Sequence, residues 1–194
     1  MKHIKLFEEL QNYQVEIFTL TQSKNFYQNF IEKHPDYKMK DKIHYFDYND
    51  FYPWFPSDKY SETCRFIIAY NEKDVLGICK FAHWDSINNY SISYLSTNDS
   101  YLKMGVSKSI LEKMFQYFSE TYPDEVLNFS GYSIEGWKYL RKNILEFSKK
   151  YNVKIKEKGV EYPGRSGVFS KDDYELMSKS KDEIKKIYGD YYYY

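Results

Sequence analysis

The chain has 194 residues, and its 28 Lys and Arg balance 28 Asp and Glu. A chain of this length can bury a core of its own, so neither a metal nor a disulfide framework is needed to hold it. Balanced charge excludes a whole-molecule field that would gather nucleic acid or an anionic membrane. Apolar residues make up 42% and charged residues 29%, as in a globular domain and unlike a disordered chain, and the apolar part leans on rings, with 23 Tyr and 14 Phe.

From Leu6 to Ile31, apolar residues recur at steps of three and four (Leu6, Leu10, Tyr13, Ile17, Leu20, then Phe26, Phe30, Ile31). This predicts two helices broken near Thr19 to Ser23, with Ser23 as N-cap of the second. The ring-rich stretch that follows is punctuated by Pro35, Pro53 and Pro56 and reads as loop, with a short strand at Ile43 to Tyr48. Two apolar runs, Cys64 to Tyr70 and Val75 to Trp84, flank Asn71-Glu72-Lys73-Asp74 and predict a hairpin. A third run, Asn89 to Thr97, alternates Tyr90, Ile92 and Tyr94 with Ser91 and Ser93, which adds a third strand.

Beyond Thr97 the period changes. Val106, Ile110, Leu111, Met114, Phe115 and Phe118 carry helical spacing until Pro123, and Val126 to Ser130 is a short apolar strand. A further helix runs from Ser133 to about Lys150, with Ile134, Trp137, Tyr139, Leu140, Ile144 and Phe147 as its buried side. Strand, glycine turn, helix, strand is a βαβ crossover, which makes the strand at Val126 parallel to the one at Asn89. Val153 to Tyr162 and Gly167 to Lys179 can form a last hairpin covering the sheet's open edge, before a short helix and the Tyr191 to Tyr194 tail. The expected fold is therefore α+β: a mostly antiparallel sheet with one parallel crossover and helices on both faces. It forms one domain over 1–194, in which 1–60 supply the N-terminal helices and aromatic loop and 180–194 a tail.

The strand-to-helix turn is where chemistry is expected. Amides around Lys103 to Lys108 have no intrahelical acceptor at a helix start. The helix dipole adds about half a positive charge there, Gly105 lets a phosphate approach the backbone closely, and Lys103 and Lys108 flank it. The same glycine could also simply make a tight turn. Cys64 and Cys79 read as reduced thiols of a cytoplasmic protein, and Cys79 as a small core residue whose nearest sequence candidate for activation is His83. The four histidines have no companion ligand at metal spacing, so no metal is expected. No apolar run is long enough to span a membrane. With only three arginines and no basic stripe, single-stranded nucleic acid is not an expected partner either.

Leu95 to Met114 (LSTNDSYLKMGVSKSILEKM) resembles motif A of the GNAT superfamily of N-acetyltransferases. In that motif a strand ending in a valine-like residue is followed by polar residues, an aromatic, and Gln/Arg-x-x-Gly-x-Gly/Ala opening a helix. Thr97 stands at the valine place, Tyr101 at the aromatic, Leu102 at the Gln/Arg, Gly105 at the first glycine and Ser107 at the second small residue. The hairpin ending in Leu76-Gly77-Ile78-Cys79-Lys80-Phe81 and the segment Ser133 to Leu140 are similar to further family elements, so the resemblance spans most of the chain.

It implies acetyl transfer from acetyl-CoA, as cosubstrate, to an amine on a small molecule, peptide or protein, by direct attack. It also implies that Leu95, Thr97, Leu102, Lys103, Met104, Gly105, Val106, Ser107 and Lys108 hold the coenzyme. Tyr139 is the implied general acid, with Tyr132 in reserve. Where the family places a base, Ser91 stands, leaving Asp85 and Glu62 as candidates acting through water, or an amine that arrives neutral. The rings from Tyr45 to Tyr60, including Trp54, fall at the acceptor-side wall or serve to pin the loop to the core. A homodimer is compatible with this reading, as is a catalytically inactive binding protein of the same fold.

Overall fold

The computed structural model describes residues 13–38, 42–43, 58–85, 88–129 and 134–157. In chain order these form β1 (Gln14–Thr19), α1 (Leu20–Lys33), α2 (Asp58–Thr63), β2 (Arg65–Tyr70), β3 (Val75–Trp84) and β4 (Asn89–Thr97). A 3-10 turn (Asp99–Tyr101), α3 (Val106–Thr121), β5 (Val126–Phe129), α4 (Ile134–Lys150) and β6 (Lys154–Glu157) follow. The reserve Tyr132, the loop rings up to 57, most of the strand expected at Ile43 to Tyr48, and the chain beyond 157 lie outside the described residues.

The strands form one six-stranded sheet in the order β1-β2-β3-β4-β5-β6. The first four are antiparallel, while β4 with β5 and β5 with β6 are parallel. The crossover read from the sequence is thus present, and α4 makes a second one: Lys154–Glu157 lies parallel beside β5, covering its edge. Central β3 is buried along nearly its whole length, because both faces of the sheet are covered. Leu76, Cys79 and Phe81 of β3 share one apolar cluster with Ile110, Met114 and Phe118 of α3 and Ile144 and Phe147 of α4. Val75, Ile78 and Ala82 of the same strand face the other cluster, with Leu20 and Phe30 of α1. Each of the larger of these, the Leu, Ile, Val, Met and Phe side chains, contributes about 1.5–3 kcal/mol by leaving water.

Two expectations for the N-terminal region are corrected. Gln14–Thr19 is a strand paired with β2, not the end of a helix. Its apolar spacing is ambiguous: Tyr13 and Ile17, four apart, share a face in a helix and equally in a strand, and the alternation of Val15 and Ile17 with exposed Gln14 and Glu16 is the period that decides. The helix cap is Thr19, not Ser23. The Thr19 hydroxyl accepts from the Gln22 amide and the Gln22 side chain accepts from the Thr19 amide, a capping box in which Ser23 sits one turn inside and donates to the Leu20 carbonyl.

Candidate functional site

The segment that carries the motif begins where β4 leaves its neighbour. Among the described residues β4 and β5 pair at Tyr90–Leu127, Ser91–Asn128 and Ile92–Phe129. At that point Lys80 of β3 opposes Tyr94 while Phe81 opposes Ile92, so Ser93 is an extra residue, a β-bulge. A bulge bends the strand that carries it, and β4 continues to Thr97 past the last residue paired with β5. The Asn98 amide donates back to Leu76 of β3 at 2.9 Å. Because strand amides alternate in direction, those of Ser96 and Tyr94 also face β3, and those of Leu95 and Thr97 face the edge that β5 has left.

The chain then makes the 3-10 turn and reaches α3 through two residues with positive φ, Lys103 at 65° and Gly105 at 83°. Gly105 is the N-cap and offers no side-chain acceptor, and the first turn of α3 contains no acid. Hence the amides of Val106, Ser107 and Lys108 emerge at the positive end of a 16-residue helix without a cap. A Cβ built on Gly105 would meet no atom of the described residues within 4 Å. Left-handed residues next to a helix start turn successive amides to one point, the concavity that suits phosphate oxygens. Lys103 and Lys108 are exposed beside it.

The remaining motif residues take distinct places. Val106 is buried and Met104 packs against the core, so both anchor the turn. Ser107, where the family has glycine or alanine, shares a hydrogen bond between its hydroxyl and that of Thr97, joining strand end to helix start. Leu102 at the Gln/Arg position is 53% exposed. The Tyr13 hydroxyl meets that of Ser109 at 2.8 Å, tying β1 to the same helical turn.

The expectations for Tyr139 and for the candidate bases Asp85 and Glu62 need correction, while Cys79 stands in the core as expected. Tyr139 is not on the buried side of α4: it is 61% exposed, while Ile144 and Phe147 form the inner line with half-buried Leu140. Successive helical residues lie about 100° apart, so Tyr139 beside Leu140 turns off that line. Asp85 follows the β3 residue that pairs with Asn89, at the far end of β4 and about 20 Å along the strand from Leu95, and it contacts His83 Nδ1 at 3.2 Å. Glu62 precedes β2 at that same end, where its carbonyl accepts from Arg65. Neither carboxylate is placed to act as a base at the Leu95 edge. Cys79 is fully buried, burial pushes its thiol up, and it contacts Met114 Sδ at 3.8 Å. With His83 about 13 Å along the strand, it is a core residue and not a nucleophile.

Sequence reasoning passed over the support beneath the turn. Asp74, closing the β2–β3 turn, accepts from Tyr101 Oη at 3.0 Å and from Lys42 Nζ at 2.8 Å. Asn98, 1% exposed, donates to the Val75 carbonyl and accepts from the Ser100 amide. The only trace of this in sequence is the pair of turn-forming residues Asn71 and Asn98, which does not say what they touch. A cavity of about 760 Å³ lies between α1 and the β2–β3 turn, lined by Phe26, Phe30, Tyr70 and Tyr101 among others, and includes neither Gly105 nor the open edge of β4. Its lysines and Glu72 mix both signs of charge on a broad rim, whereas the start of α3 presents uncapped amides with no acid in the first turn. Among the described residues no group of acids, histidines and cysteines is arranged to hold a metal, and no helix is long and apolar enough to cross a membrane.

No family model matches the sequence, and no curated protein matches it significantly. Solved structures similar to this fold are acetyltransferases in several cases. An aminoglycoside acetyltransferase from an uncultured soil metagenomic sample, solved with trehalose, is 12% identical over 81% of this chain and 92% of its own, with a TM-score of 0.42. A second soil-metagenome aminoglycoside acetyltransferase is 11% identical over 56% of this chain and 73% of its own, with a TM-score of 0.33. An integron cassette protein from the mobile metagenome of V. cholerae is 14% identical over 87% of this chain and 98% of its own, with a TM-score of 0.38.

Proposed function

We propose that the chain is an N-acetyltransferase of GNAT type, carrying acetyl from acetyl-CoA to a primary amine. The observation that supports this most is the adjacency of two features: an uncapped, acid-free start of α3 behind Lys103 and Gly105, and the β4 edge freed by the Ser93 bulge. In this reading the amides of Gly105 to Lys108, with the Lys103 and Lys108 side chains, take the diphosphate. The amides of Leu95 and Thr97 take the pantetheine arm and the thioester oxygen, Met104 and Val106 hold the turn, and Leu102 gives apolar contact in place of a charged side chain. Bound coenzyme supplies an activated acetyl group.

A neutral amine attacks the carbonyl carbon, the C–N bond forms as the C–S bond breaks, and the departing sulfur takes a proton from Tyr139. That proton is replaced by the one the amine nitrogen loses through water, so atoms and charge balance. A donor aimed at the developing oxyanion is worth about 3 kcal/mol of barrier. Tyr139 is suited to the acid role by its exposure in the second turn of α4, the helix that follows β5. Amine class and cytoplasmic location belong to the same proposal.

The test is thiol release from acetyl-CoA with a panel of aminoglycosides, polyamines and peptide N-termini. The expected outcome is amine-dependent release that falls about 100-fold in kcat with Tyr139→Phe at unchanged coenzyme affinity. The exposed apolar Leu102 favours a second reading, a binding protein that has lost the chemistry. Coenzyme binding by calorimetry without thiol release on any amine would select it, and absence of micromolar coenzyme binding would remove the enzyme reading.

A further inference from the structure

Resting on the reading of the α3 start as a diphosphate site, we infer that Asp74 is a positioning residue for that site, acting through Tyr101. The carboxylate sits on the turn between β2 and β3, a rigid support: the Asn71 side chain accepts from the amides of Lys73 and Asp74 at 2.9 and 2.8 Å, and the Asn71 amide donates to the Asp74 carbonyl at 2.9 Å. With its side chain 18% exposed, Asp74 engages both oxygens, one with Lys42 and one with the Tyr101 hydroxyl.

Tyr101 is itself 9% exposed and ends the 3-10 turn. Its amide donates to Asn98, and its carbonyl accepts from Met104, one residue before Gly105. The Lys42 carbonyl accepts from the Asp99 amide, so the same pair grips the 3-10 turn at its start. Lys103 keeps a positive φ without being glycine. A conformation disfavoured for a side-chain-bearing residue persists only where its surroundings hold it, and the Asp74–Tyr101 contact with the Tyr101–Met104 bond is the hold visible on this side of the turn. Tyr101 occupies the aromatic position of the motif, and its hydroxyl, not only its ring, is what the turn uses.

The experiment compares the full chain with Tyr101→Phe, Asp74→Asn and the double variant. Tyr101→Phe keeps the ring and removes only the hydroxyl, so the core packing is retained. Coenzyme A binding by calorimetry is read beside amide hydrogen exchange at Met104 and Gly105 in the ligand-free protein. Each single substitution is expected to weaken coenzyme A about five- to tenfold and to speed exchange at these two amides, and the double variant to be no worse than the more severe single, because both act on one contact. Faster exchange is expected to be confined to this turn, with amides of the central strands unchanged, whereas a general loss of stability would speed exchange throughout the core. Unchanged affinity in both single variants, or losses that multiply in the double, overturns the inference. If the unsubstituted chain does not bind coenzyme A, the reading of the site fails by itself and the exchange arm decides the positioning role: faster exchange supports it and unchanged exchange overturns it.

Discussion

Gly105 stands at φ 83° with no atom of the described residues close to where a side chain would begin, so a substitution there separates two effects that usually travel together. Gly105→Ala meets no neighbour, and its cost to stability is the backbone term alone, about 1 kcal/mol. The methyl group would nevertheless stand in the space that the proposed diphosphate needs. Expected is a shift of a few degrees in thermal melting together with a loss of coenzyme A affinity of at least tenfold by calorimetry; equal affinity would mean that no ligand approaches this backbone. The sequence marked Gly105 as special because glycine is the residue for which positive φ carries no penalty. It could not mark Lys103, whose positive φ is set by its surroundings, nor the exposure of Tyr139, since in a chain this rich in tyrosine a ring at near-helical spacing reads as core.

At the scale of the element, α3 sets where the proposed site lies, and its seat depends on one strand residue. A Cβ on Gly77 would come to 2.9 Å from Ile110 Cδ1, 3.0 Å from the Ser96 carbonyl and 3.2 Å from Val106 Cγ1, so the first turns of α3 sit directly on the backbone of β3. Gly77→Val is expected to push the start of α3 outward, costing about 1–3 kcal/mol in urea unfolding and weakening coenzyme A binding beyond what the lost stability explains. Retained affinity with lower stability would show that helix start and strand edge tolerate displacement. Helices α3 and α4 were legible because long runs of helical spacing admit one reading, whereas β1 was not, because six residues with apolar positions four apart fit two periods.

Over the whole molecule, ties between distant segments fix the two helices on one face against each other and against the last strand. Arg141 of α4 forms a two-pronged pair with Glu157 of β6, each contact at 3.0 Å. Lys150 of α4 meets Glu112 of α3, which also accepts from the Tyr151 hydroxyl. Hydrogen bonding to Lys150 holds the Glu112 carboxyl below its ordinary range, and the same contact lifts Lys150. Glu112 then stabilises the fold above the ordinary glutamate value, near pH 4.3, and that contribution is lost as pH falls through its lowered value; the Lys150 share is full below about pH 10.4 and lost as pH rises beyond its raised one. Both side chains are solvated, so Glu112→Gln is expected to lower the melting temperature by no more than about 2 °C between pH 5 and 10, with the difference closing as pH falls through the lowered Glu112 value and in high salt. A drop that persists at pH 2 would assign the effect to packing. Run lengths, turn residues and the glycine turn were enough to determine the central antiparallel strands, the crossover and the place of the uncapped amides proposed to hold an anion, because each depends on neighbours within a few residues. The splay of β4 from β5 at Ser93, the support from Asp74, the exposure of Tyr139 and the removal of Asp85 and Glu62 to the far end of the sheet were decided only by tertiary structure, since each depends on register and on contacts between residues distant in the chain.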